Sequence, residues 1–107
     1  HVPRAAELYK DRLILYSLGN FCTPYRVSLN GASGLAPLVE VDLAPDGRFL
    51  SGQIHSFRQQ KGVGPRLDTT HATAREIRRL SAADFPASPL RISPDGRLFR
   101  EPNCKKP

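Results

Sequence analysis

The feature that most constrains the fold is the turn Ala44-Pro45-Asp46-Gly47 and the two runs that flank it. Before it, Leu38, Val39, Val41 and Leu43 are apolar while Glu40 and Asp42 alternate with them, the period of a strand with one wet face. Proline presets φ and Asp-Gly supplies the tight corner, so Arg48 to Phe57 is predicted to return as a second strand anchored by Phe49, Ile54 and Phe57. Phe49 and Ile54 have opposite parity along that strand. A bulge at Gly52 would reconcile them.

The same turn chemistry recurs near the end of the chain. Leu90-Arg91-Ile92-Ser93 leads into Pro94-Asp95-Gly96 and out through Arg97-Leu98-Phe99, which predicts a second, smaller hairpin. Arg12 to Leu18 is more apolar than either: five of its seven residues are Leu, Ile or Tyr, which suits a buried central strand. Gly19-Asn20 then lets the chain turn out of the sheet. Ala5 to Tyr9 is a short strand or a helical turn, joined to that run by a tight turn at Lys10-Asp11.

Residues 22–36, rich in Ser, Asn and Gly, and residues 59–69 read as loops, and residues 101–107 as a frayed tail. Within the second loop, Lys61-Gly62-Val63-Gly64 lacks the spacing of a phosphate-binding loop. Thr73-Ala74-Arg75-Glu76 fits a capping box that opens a short helix with Ala74, Ile77 and Leu80 on one face. A further turn over Ser81 to Asp84 would end at Phe85-Pro86. The expected class is α+β: mostly antiparallel strands with one short helix, in a single partial domain spanning residues 1–107.

At 107 residues with 39% hydrophobic and 24% charged side chains, the chain can bury a modest core. No apolar run approaches the ~20 residues of a membrane-crossing helix. The formal charge of +6 comes from twelve Arg and four Lys scattered along the sequence. Nucleic-acid binding is not indicated, because the basic residues form no stripe interleaved with aromatics. Cys22 and Cys104 are too few for a disulfide framework or a zinc site; two free thiols are expected, with one disulfide as the alternative. The chain contains no Met and opens His1-Val2-Pro3. That opening reads as a piece of a longer protein, or as the product of processing after a leader peptide.

Linear spacing assembles no catalytic set. His1, His55 and His71 stand apart, Asp46 and Asp95 are accounted for by their turns, and Glu40 and Asp42 by the wet face of a strand. The segment His1-Val2 followed by Glu7 to Phe21, ending Tyr16-Ser17-Leu18-Gly19-Asn20-Phe21, nevertheless resembles the C-terminal portion of the CapA family. These are poly-γ-glutamate capsule biosynthesis proteins with a calcineurin-like metallophosphoesterase fold, an α/β sandwich. The family pattern is Gly-His-x-Pro-His-Val, a short hairpin, then Tyr-Ser-Leu-Gly-Asn-Phe, which Tyr16 to Phe21 match in full.

The resemblance implies several things. His1 corresponds to the last His of the first motif, a candidate ligand of a divalent metal. Gly19 and Asn20 are candidate binding residues, and Asn20 is the single catalytic candidate. The parent protein would be a metal-dependent hydrolase-like protein of anionic polymer synthesis at the cell envelope, on its extracytoplasmic face. Its partner would be the N-terminal part of the same protein, which carries the remaining metal motifs. For this chain by itself, no cofactor and no turnover are expected.

Two readings from other classes stand beside it. One is a small basic module that binds an anionic polymer without chemistry, for which Arg75, Arg78 and Arg79 would converge with Arg48, Arg58 or Lys61 on one face. The other is a purely structural β subdomain that closes a sheet edge.

Overall fold

The structure is a computed structural model that describes residues 2–22, 29–60 and 62–102. In chain order it contains β1 (Ala6–Tyr9), β2 (Arg12–Leu15), a single 3-10 turn (Gly31–Gly34), β3 (Leu35–Leu43), β4 (Phe49–Gln60), β5 (Gly64–Leu67), α1 (Ala72–Asp84), β6 (Leu90–Ile92) and β7 (Arg97–Arg100). The class is α+β, with every strand pair antiparallel.

The hub is β4. Its stretch from Phe49 to Arg58 pairs with β3, while its other edge is shared by β5, against Phe57 to Gln60, and by β7, against Gly52 and Gln53. β6 then pairs with β7, giving the order β3-β4-β7-β6 with β5 beside β4. Pro37 is tolerated in β3 because β3 is an edge strand, where a missing N–H need not break a ladder. Both hairpins built on Pro-Asp-Gly turns form where the turn chemistry put them.

The bulge falls at Leu50, not at Gly52. Leu43 pairs with Phe49 and Asp42 with Ser51, so Leu50 is the extra residue, and Phe49 and Ile54 both become fully buried. Gly52 stays in regular register opposite Val41 and Leu98, where a Cβ would lie 2.8 Å from the Glu40 carbonyl. Phe57 lies outside the main core, half-buried, with Phe21 packed edge-on at 5.3 Å between centroids.

The apolar run at Arg12 to Leu18 does not become a central strand. Only Arg12–Leu15 is extended in register, paired with β1 alone in a two-stranded ladder, and Tyr16 and Leu18 are about half exposed. Its hairpin turns through Lys10 (φ 52°) and Asp11 (φ 68°), both left-handed. That is the primed geometry a two-residue hairpin requires, achieved without glycine.

Residues 59–69 are not a plain loop. β4 runs on to Gln60, and Gly64–Leu67 folds back on it as β5. Of residues 22–36, positions 23–28 lie outside the described residues, as do Lys61 and positions 103–107, Cys104 among them; Cys22 is exposed.

The capping box is also replaced. α1 begins before Thr73, with His71 at the cap in left-handed conformation (φ 59°) and making no side-chain cap bond. Asp68 supplies the capping carboxylate, accepting hydrogen bonds from the Ala72 and Thr70 amides, and Ser56 Oγ on β4 accepts from the Ala74 amide at 3.0 Å. Thr73 is buried and donates its hydroxyl to the Phe57 carbonyl. Helix and sheet are thus joined by hydrogen bonds as well as by the core of Ile77, Ala74, Phe49, Ile54, Leu98, Ile92, Leu90, Leu8 and Ala6.

Candidate functional site

The corner at Tyr16 to Phe21 is built against the first residues of the chain. Pro3 and Leu18 form an isolated antiparallel bridge, the Arg4 amide donates to the Ser17 carbonyl at 3.3 Å, and Ser17 Oγ donates to the Val2 carbonyl at 2.7 Å. The same hydroxyl accepts from the Gly19 amide at 3.1 Å. Gly19 has φ +63°, and a Cβ there would stand 3.0 Å from Pro3 Cδ. Glycine is therefore required both by the backbone conformation and by the close approach of Pro3.

Asn20 is 8% exposed, and its backbone carbonyl accepts a buried hydrogen bond from Gln59 Nε2 at 2.8 Å. Tyr16 stacks on Phe85 at 5.1 Å with a 14° interplanar angle, and its hydroxyl donates to the Glu7 carboxylate. That hydrogen bond raises the Tyr16 pKa, because the bonded phenol is the neutral form.

Gly19 and Asn20 thus come together with the Val2-Pro3 segment in one corner, whereas His1 lies outside the described residues. Among the described residues no group of three or more His, Cys, Asp or Glu side chains is placed to hold a metal ion. The described part of the corner therefore does not amount to a metal centre.

His55 and His71 border a small cavity of about 150 Å³ with Asp68 and Asp95. His55 Nε2 is 3.0 Å from Glu40 Oε1 on the sheet surface. The Ser93 hydroxyl bound to Asp95 holds that carboxyl below its ordinary pKa. Burial works against ionisation of Asp68, but hydrogen bonds from the Thr70 hydroxyl and amide and from the Ala72 amide outweigh it, and its pKa is also lowered. Both carboxylates hold local turns, so neither is poised to accept a proton near neutrality.

The larger concavity, about 550 Å³, lies between α1 and the β1 and β6 strands. Arg75, Arg78 and Arg79 line it from the helix and Arg91 from β6, with Phe85 and Pro86 at the far end. Arg79 is paired with Glu76 at 2.8 Å, which lowers the Glu76 pKa and raises that of Arg79. Arg91 is paired with Glu101. Arg78 Nε donates to the Ile92 carbonyl at 2.8 Å.

The helix arginines share this groove with Arg91, not with Arg48, which sits in the β3–β4 turn beside Asp46, nor with Arg58, whose register partner on β5 is Arg66. Lys61 lies outside the described residues. The sequence signal for Arg91 is its place between Leu90 and Ile92, two residues that must face the core. Its alignment with the helix depends on how β6 packs, which no local pattern states.

Together these elements define an α+β protein with a glycine corner at one end of its small ladder and an arginine groove along its helix. No family model, curated protein or solved structure matches the chain. Among the described residues no helix is long and apolar enough to cross a membrane.

Proposed function

We propose that this chain is the C-terminal part of a CapA-like protein of anionic polymer biosynthesis, and that the corner at Gly19-Asn20 supports the loop that carries His1. The observation that carries the reading is the closure of the Tyr16–Phe21 corner on Val2 and Pro3 through Ser17 and Gly19. Val2 and Pro3, which follow His1 in the sequence, meet the Tyr16–Phe21 motif across a hairpin in one corner, as a His-Val segment braced by a Ser-Leu-Gly-Asn return would require.

The parent would be hydrolase-like and would bind a divalent metal. His1 would contribute one ligand and the N-terminal part of the same protein the others, and the metal would polarise a substrate oxygen or activate water. No step is assigned to the described residues, whose role in this reading is support: Ser17 fixes the Val2 carbonyl, and Asn20 anchors the corner to β4 through Gln59.

The test uses the protein that carries this segment together with its N-terminal part, assayed for metal content and for metal-supplemented phosphoester and polyglutamate hydrolysis. Replacing a ligand, His1→Ala, is expected to lower turnover by about tenfold or more, while the 107-residue chain alone gives none above a blank. Unchanged metal content and turnover in the variant would overturn the reading, as would a coding sequence lacking Gly-His-x-Pro directly before His1.

A further inference from the structure

Four guanidinium groups line one groove, and carboxylates balance only two of them. Arg79 holds Glu76 and Arg91 holds Glu101, whereas Arg75 and Arg78 have no carboxylate partner among the described residues. Arg75 is exposed and makes no side-chain hydrogen bond among them. The groups are not gathered at a point. Arg75, Arg78 and Arg79 follow one helical face at spacings of three and four, and Arg91 lines the same groove from β6.

From Arg75 to Phe85 the helix advances about 15 Å at a rise of roughly 1.5 Å per residue. That is room for about four or five residues of extended chain at ~3.3 Å each. Charge spread over such a length matches several carboxylates on a chain better than one phosphate. The groove already shows this chemistry: Glu101, just beyond β7, lies against Arg91. Beyond the arginines, Phe85 and Pro86 provide an apolar end.

We infer that this groove binds an extended acidic peptide segment, with carboxylates on Arg75 and Arg78 and an apolar side chain against Phe85 and Pro86. A nucleic acid fits less well, because the Phe85 ring is already stacked on Tyr16 and offers bases no free platform on that side. A bilayer surface fits less well because the arginines line a concavity and not a flat face. The inference uses no metal and neither His1 nor Gly19-Asn20, so it stands or falls separately from the CapA-like reading.

The test is fluorescence anisotropy with the full chain and a labelled peptide of four Glu followed by Leu. Controls are the same peptide with Gln for Glu, phosphatidylglycerol vesicles and oligothymidylate. Binding to the Glu peptide is expected to weaken with added salt and to fall by about tenfold or more in Arg75→Glu, which loses and reverses a charge-assisted contact. Arg66→Glu makes the same charge change on β5, outside the groove, and should alter the affinity by less than about twofold.

Arg78→Gln should also weaken binding. Because Arg78 holds the Ile92 carbonyl, circular dichroism decides whether that variant is folded; Arg75→Glu carries the test in either case. The proposal is overturned by no binding to the Glu peptide, by equal binding of the Gln peptide, by equal losses in Arg75→Glu and Arg66→Glu, or by tighter binding to vesicles or oligothymidylate.

Discussion

Asp68 holds the start of the helix with a single carboxylate: Oδ1 accepts from the Thr70 amide and hydroxyl, and Oδ2 from the Ala72 amide. Its folded pKa lies below the ordinary 3.8. The stability it contributes is therefore present above the unfolded value and is lost as the pH falls through the lower folded value. Asp68→Ala is expected to cost about 1 kcal/mol at neutral pH, the usual worth of a cap. The difference between wild type and variant in urea titrations should shrink below pH ~4; a difference that does not change with pH would contradict the role. Gly19 is a second residue with a defined cost. Gly19→Ala places a Cβ at positive φ against Pro3, which should destabilise the protein by roughly 1–2 kcal/mol in the same measurement.

Among the elements, β4 shows best what was legible beforehand. Its existence and its turn follow from alternation and from Pro-Asp-Gly, and the need for a bulge follows from the parity of Phe49 and Ile54. Where the bulge sits does not follow, because any residue between Phe49 and Ile54 restores the parity. Tertiary pairing decides it: Gly52 and Gln53 are held in register against Leu98 and Arg97 of β7, and Ser51 against Asp42 of β3, which leaves Leu50 as the residue that can leave the ladder. Deleting Leu50 removes the extra residue and drives Phe49 out of the core or breaks the turn. A loss of about 3 kcal/mol or more is expected, as for removing a buried Phe, whereas Leu50→Thr, about half exposed, should change stability by less than about 1 kcal/mol. Equal effects of the two changes in denaturant titrations would disprove the placement.

The helix start departs from its local signal for a related reason. Thr-x-x-Glu is a capping box only when the chain before it is not helical. Here Ser56 and Asp68 satisfy the first amides and let α1 begin before Thr73.

In the whole molecule, the two-stranded ladder and the five-stranded sheet are joined through serines on and after the helix. Ser81 Oγ accepts from the Ala6 amide at 2.9 Å, and Ser88 Oγ accepts from the Leu8 amide at 3.0 Å. One edge of β1 is thus satisfied by side chains and not by another strand. Ala6 is 1% exposed, so Ser81→Ala leaves its amide without a partner in a site closed to water. The expected cost is about 1–3 kcal/mol, with loss of hydrogen-exchange protection at Ala6. Protection equal to wild type would show that the serine is dispensable.

Local chemistry by itself determined the turns and the hairpins they close. Lys10-Asp11, Pro45-Asp46-Gly47 and Pro94-Asp95-Gly96 restrict φ and ψ through atoms only a few residues apart. The motif at Tyr16 to Phe21 was likewise visible as a glycine corner. Only the tertiary structure decided that the apolar run at Arg12 belongs to a two-stranded ladder, that Val2 and Pro3 close on Gly19, and that Arg91 lines the same groove as the helix arginines. The reason is physical: burial and edge pairing depend on which surfaces meet across long stretches of chain, and an apolar strand carries the same sequence whether one neighbour covers it or two.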